Sequence, residues 1–158
     1  MSTRAPKASS ASLPRNARIA VAAARFNQEF VDELLKGCLE RLTELKAPAP
    51  SVHHVPGAFE LPLAAKWLAR TKKYDAIICL GCVIRGDTPH FEYVAGECAR
   101  GIQRVSLDEG LPVIFGVLTT ENDEQVRQRL SGSHGHAGRR AADAAAEMIA
   151  LRRRITTR

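Results

Sequence analysis

The residues of this sequence best suited to chemistry lie in one short run, Gly86-Asp87-Thr88-Pro89-His90. Thr88 is a good helix N-cap and Pro89 a good first helical residue, so a helix is expected to open there. Such an opening offers unpaired backbone N–H groups and the positive end of the helix dipole, a ready site for an anion such as a phosphate. Gly86 lets the backbone come close to that anion. His90 falls in the first turn, where an imidazole beside a bound anion can take and return protons. On pattern alone, the same run also fits a capped helix start with no ligand and a histidine facing solvent.

Three further residues have matching alternatives. Phe26, after a short apolar run, and Phe115, within another, can each stack on a planar ring or simply fill a core. Glu60 follows the Pro56-Gly57 turn and can accept hydrogen bonds from a ligand or cap a helix. The other histidines (His53, His54, His134, His136) lack the helical spacing of a metal-ligand pair, so no metal site is expected. Cys79 and Cys82 are separated by two residues, but they sit in AIICLGCVI, which reads as a strand. A redox pair opens a helix, so these two, with Cys38 and Cys98, are expected to be buried free thiols.

The elements that must position these side chains alternate along the chain. Residues 18–24 form an apolar run that fits a buried strand, broken at Arg25-Phe26-Asn27. Phe30, Val31, Leu34, Leu35, Cys38, Leu39, Leu42 and Leu45 then recur at helical spacing, up to the stop at Ala47-Pro48-Ala49-Pro50. A strand is expected over 51–55, a helix over 58–69, and a strand buried on both faces over 75–84. Phe91, Val94, Ala95, Cys98, Ile102 and Val105 share a helical face. A strand over 112–118, a short helix to Leu130, a loop over 131–138 and a final helix over about 139–153 complete the series. Strands separated by helices argue for a parallel sheet covered on both faces, a three-layer α/β sandwich. Ligands of such sheets bind beyond the carboxyl ends of the strands, so 25–27, 56–60, 84–90 and 119–122 are expected to converge.

Composition sets the outer bounds. The chain has 158 residues, 45% of them apolar and 25% charged, the values of one ordinary globular domain. No apolar run approaches the roughly 20 residues of a membrane span, and the N-terminal stretch has no secretory pattern, so a cytoplasmic protein is expected. Residues 1–17 read as a flexible basic arm and 18–158 as the domain. Net charge is +6, concentrated at the ends: Arg4, Lys7, Arg15 and Arg18 at one, and Arg152, Arg153, Arg154 and Arg158 at the other. These read as solvated tails, and with 5% aromatic residues there is no base-stacking platform, so a nucleic-acid partner is not expected.

Four motifs occur in one order. They are Ala24-Arg25-Phe26-Asn27, Val55-Pro56-Gly57-Ala58-Phe59-Glu60, the stretch from Gly81 through His90 to Val94, and the stretch from Pro112 to Asn122. Their sequence and spacing, from about Arg18 to Met148, resemble the 6,7-dimethyl-8-ribityllumazine synthases of riboflavin biosynthesis. The resemblance implies a flavodoxin-like three-layer sandwich with a central parallel four-stranded sheet. It implies a transferase that joins 5-amino-6-ribitylaminouracil to 3,4-dihydroxy-2-butanone 4-phosphate, releasing phosphate and water, with no metal or organic cofactor. By the same resemblance Phe26 stacks on the pyrimidine, and Ala58, Phe59 and Glu60 line the ribityl side. Cys82, Val83 and Ile84 border the heterocycle. Asp87 and Thr88, with Gly86 beside them, hold the phosphate through backbone N–H groups, and His90 is the acid/base. Phe115 and Arg129 are implied to come from a neighbouring subunit, Arg129 on the phosphate, within a homopentamer that in some relatives builds decamers or icosahedral shells.

One segment departs from the family pattern. Relatives carry an asparagine-lysine-glycine run where this chain has His136-Ala137-Gly138, followed by Arg139 and Arg140, the candidates to replace the lost charge. Three other readings compete. A phosphosugar aldolase needs a Schiff-base lysine at a strand end, but Lys66, Lys72 and Lys73 fall away from those ends. A non-catalytic lumazine or flavin binder shares the pocket, and a basic packaging shell would use the arginine-rich termini.

Overall fold

Side chains alternating on four short strands decide the architecture. The computed structural model describes residues 13–131 and 135–156. In it β1 (Ile19–Ala24), β2 (Ser51–Val55), β3 (Ala76–Ile84) and β4 (Val113–Thr120) form one parallel sheet, in the order β2-β1-β3-β4. Ile19, Val21 and Ala23 of β1 face the same side as Ile78, Leu80 and Cys82 of β3. Ala20 and Ala22 face the other, with Ile77 and Cys79. Helices α1 (Gln28–Glu44), α4 (Asp123–Ser131) and α5 (Ala137–Thr156) cover the first side. Helices α2 (Leu61–Arg70) and α3 (His90–Glu109) cover the second. Burial on both sides is why β1 is apolar throughout and needs no polar alternation. The three-layer α/β sandwich is as expected.

Several boundaries differ from the sequence reading for local reasons. The helix expected over 58–69 is a 3₁₀ turn, Ala58–Glu60, followed by α2. Pro62 has no N–H to donate, so it belongs in the first turn of a helix and fixes the start of α2 beside it. Strand β4 runs on to Thr120 because its pairing with β3 continues to Ile84 and Thr120. Leu13 and Ala17 are buried in the core, so packing reaches upstream of residue 18. The rest of the expected arm, residues 1–12, and His134 lie outside the described residues. All four cysteines are free and buried. Among the described residues no helix is long and apolar enough to cross a membrane.

Two glycines and a histidine set how closely α5 seats on α1. A Cβ on Gly138 would collide with the Leu34 carbonyl oxygen, and one on Gly37 with the ring of His136. His136 acts as the N-cap of α5. Its carbonyl accepts from the Arg140 N–H at 3.1 Å, and its Nδ1 accepts from the Gly138 N–H at 3.2 Å. Along the same seam Arg41 Nε meets Asp143 Oδ1 at 2.7 Å, and Arg139 Nη2 meets Glu44 Oε2 at 2.6 Å. Burial first, then the Arg139 guanidinium, holds the His136 imidazole below its ordinary value of 6.5, while Glu33 and Glu40 oppose the shift.

The unfolded chain therefore takes up a proton that the folded chain resists. The stability contributed by neutral His136 is complete above pH 6.5 and declines as the pH falls below it, towards the lowered folded-state value. Melting temperature is expected to drop between about pH 7.5 and about pH 5.5. In His136→Asn, which caps without titrating, the drop should be smaller; equal slopes would show that His136 contributes nothing to it. Gly138→Ala should cost about 3 kcal/mol by overpacking, read as a lower midpoint in urea.

Candidate active site

In the order β2-β1-β3-β4 the chain leaves β1 toward one edge of the sheet and returns to place β3 on its other side. A crevice must open where the connections part, at the carboxyl ends of β1 and β3. A cleft of about 520 Å³ lies there, lined by Phe26 and Asn27 after β1, Gly57 to Glu60 after β2, Cys82 to Ile84 at the end of β3, and Gly86, Thr88 and His90 before and within α3. That size suits a small organic ligand. Phe91, Tyr93 and Val94 complete the wall.

Each side chain is carried there by a specific local feature. The β1–β2 ladder continues past the strands, with the Arg25 N–H donating to the Val55 carbonyl at 2.9 Å and the Phe26 N–H to the Pro56 carbonyl at 3.1 Å. Phe26 is thereby set beside the Pro56-Gly57 turn and is 72% exposed, so it is no core residue. Asn27 holds the left-handed conformation at φ 55°, ψ 45°, and its Nδ2 donates to the Cys82 carbonyl at 2.9 Å across the crevice. Burial first and Asp123 second push the Cys82 thiol up to about 12, so it stays protonated and serves as wall, not nucleophile. Gly57 leaves space into which Glu60 folds, since a Cβ there would lie 3.2 Å from Glu60 Oε2.

At the start of α3, Pro89 is already helical at φ −62°, ψ −2°. The expected cap is present in a weak form, with Thr88 Oγ1 3.5 Å from the His90 N–H. Residues 86–90 are all exposed, and a Cβ on Gly86 would meet nothing within 4 Å, so the backbone of Gly86, Asp87 and Thr88 is accessible to a ligand. Among the described residues no group of three His, Cys, Asp or Glu is arranged to hold a metal ion.

The cleft at the switch point brings together Phe26, Glu60 and His90, residues that lie at three separate strand ends in the sequence. The model of the 6,7-dimethyl-8-ribityllumazine synthase family matches residues 16–153, most of the chain. The chain belongs to that family. It is therefore a lumazine synthase-type enzyme of riboflavin biosynthesis, with transferase chemistry.

Ten of the anticipated positions line this lumazine synthase cleft: Phe26, Ala58, Phe59, Glu60, Cys82, Val83, Ile84, Gly86, Thr88 and His90. Asp87, Phe115 and Arg129 do not. Asp87 is exposed beside the cleft. Phe115 is 43% exposed on the edge strand β4, and Arg129 Nη1 is turned back along α4 to the Gln125 carbonyl at 2.8 Å. Arg139, a candidate to replace the family's lysine, is engaged with Glu44 on α1 instead. Asn27 and Tyr93 were not singled out by sequence. Asn27 carried one usable signal, an asparagine between strand and helix, where left-handed backbone is tolerated.

Asn27→Gly keeps that backbone conformation and loses only the bond to Cys82, whereas Asn27→Ala loses the bond and strains the backbone. Stability is expected to fall in the order Asn, Gly, Ala, with Ala costing about 1–2 kcal/mol in denaturant titration. A Gly variant worse than Ala would refute the backbone argument.

Proposed function

We propose that the chain condenses 5-amino-6-ribitylaminouracil with 3,4-dihydroxy-2-butanone 4-phosphate to give 6,7-dimethyl-8-ribityllumazine, phosphate and water. The observation that carries this reading is the juxtaposition, in one cleft, of Phe26, Glu60 and the open α3 start with His90. Phe26 offers a flat face to the pyrimidine, with Cys82, Val83 and Ile84 along its edge. Ala58, Phe59 and Glu60 flank the ribityl chain, with Glu60 accepting from its hydroxyls. The N–H groups after Gly86, at Asp87 and Thr88, receive the phosphate.

The 5-amino group attacks the ketone carbon, and loss of water gives an imine. The phosphate leaves with the C–O electron pair as a proton is removed from carbon. The resulting enol takes a proton at its terminal carbon and becomes a ketone; the ribitylamino nitrogen attacks that carbonyl to close the ring, and a second water departs. His90 moves the protons, taking one from carbon and returning one to a leaving oxygen. Holding two substrates together can supply roughly 7–11 kcal/mol of the barrier reduction, so much of the work is positional.

The reading includes a homopentamer in which a neighbour supplies Phe115 and Arg129, the latter to the phosphate, with larger shells as a further assembly. Phe59, Leu63 and Trp67, four residues apart, are each at least half exposed, and Tyr93 is 68% exposed. Such an apolar stripe beside the cleft supports coverage by another copy. Buried free thiols support a reducing, cytoplasmic setting. A second reading, a lumazine-binding protein without turnover, draws on Ala137 in the family's lysine position and on the engagement of Arg139 with Glu44.

Absorbance of product from the two purified substrates separates the two readings. Turnover is expected, with kcat lowered about 10²- to 10⁴-fold in His90→Ala. In Arg129→Ala, KM for the phosphorylated ketone should rise about tenfold. Tight product binding without turnover would leave the binding protein. A sedimentation mass below that of five chains would remove the pentamer.

A further inference from the structure

Arg85, the residue between β3 and Gly86, joins the end of β3 to two other elements at once. Its backbone N–H donates to the Thr120 carbonyl at 2.9 Å, extending the ladder to β4 by one step. Its Nε meets Glu121 Oε2 at 2.6 Å, just beyond β4, and its Nη2 meets Glu92 Oε1 at 2.7 Å in the first turn of α3. The guanidinium carbon lies 4.2 Å from the ring centroid of Phe91. Only a planar fork can hold two carboxylates and lie over a ring together; an ammonium can hold the charge but not the geometry. Arg85 does not itself line the cleft.

The arrangement has a specific electrostatic meaning. Glu92 and Glu121 are two carboxylates beside a turn that must admit an anion, and uncompensated they would repel it. Arg85 offsets one of those two charges while pinning the first turn of α3 to the ends of β3 and β4. We propose that Arg85 is a positioning residue for the phosphate-bearing substrate: it holds the backbone N–H groups of Asp87 and Thr88 in orientation and halves the carboxylate field at their rim. This rests on the reading of 86–90 as the phosphate site.

The test is steady-state kinetics of the full chain with each substrate varied in turn, on wild type, Arg85→Lys, Arg85→Met, and Arg85→Met combined with Glu92→Gln and Glu121→Gln. In Arg85→Met, KM for the phosphorylated ketone should rise about five- to tenfold, what two part-exposed ion pairs are worth. KM for the aminouracil should stay within about twofold. Arg85→Lys should fall between, and the triple variant should recover most of the loss, which a purely structural lesion would not. Equal rises in both KM values, or no recovery in the triple variant, would overturn the role. If wild type gives no turnover, the proposed reaction fails separately. Calorimetric titration with inorganic phosphate then decides on Arg85: weaker binding by Arg85→Met supports it, and unchanged binding overturns it.

Discussion

β1 and β3 pair in parallel at the middle of the sheet, Ile19 against Ala76 through Ala23 against Leu80, and helices bury both faces of the pair. A parallel pair needs a crossover for its return, and the crossovers from β1 and from β3 leave the sheet in opposite directions. The gap between them is a consequence of that topology. Residues at the carboxyl ends of β1, β2 and β3 are delivered to one crevice although they are far apart in sequence, whereas Thr119 to Asn122, expected to join them, lie after the edge strand β4 and do not line it. The bond from Asn27 to the Cys82 carbonyl ties the floor of this crevice across the β1–β3 seam. Arg85 ties its rim to β4. Chemistry at the cleft therefore depends on a framework whose cohesion is almost wholly apolar.

This dependence explains which parts were legible in the sequence. β1 and β3 are continuous apolar runs, a pattern that two-sided burial requires, so their place at the centre could be read directly. With strand ends located, Phe26, Glu60 and the run from Gly86 to His90 followed from topology. Asn27 acts through a left-handed backbone and a carbonyl far along the chain, and neither has a sequence period. Tyr93 and Val94 were obscured for a different reason. Val94 falls on the helical face it shares with Cys98, Ile102 and Val105, but the buried residues of α3 begin at Cys98. Before Cys98 the helix reaches the edge of that core, so Val94 packs partly against it while also lining the cleft, and Phe91 and Tyr93 become cleft wall. Periodicity identifies a face; it does not say what the face covers.

The same distinction applies at the start of α5. Gly138 reads from sequence as the end of a loop, yet it lies inside the helix because only a residue without Cβ lets α5 approach the Leu34 carbonyl. His136 becomes a cap because its ring fits over Gly37, a contact between distant segments. Where function or packing depends on one atom's clearance from another segment, local propensity is overridden.

The α5 seam also bears on how this member of the family handles anions. With alanine at 137 and the Arg139 guanidinium on Glu44, two cations that sequence comparison would assign to the phosphate region are absent or engaged elsewhere. Arg129, turned along its own helix, must reorient before it can serve a site on another copy. On the proposed reading the phosphate then relies more heavily on backbone N–H groups of the 86–90 turn. Those donors cannot move toward a ligand as a lysine can, so their strength rests on being held at the right orientation beforehand. An anion site of that kind would need a rigid mount and a rim with little negative charge; the fork of Arg85 between Glu92 and Glu121 supplies the mount and offsets one of the two carboxylates.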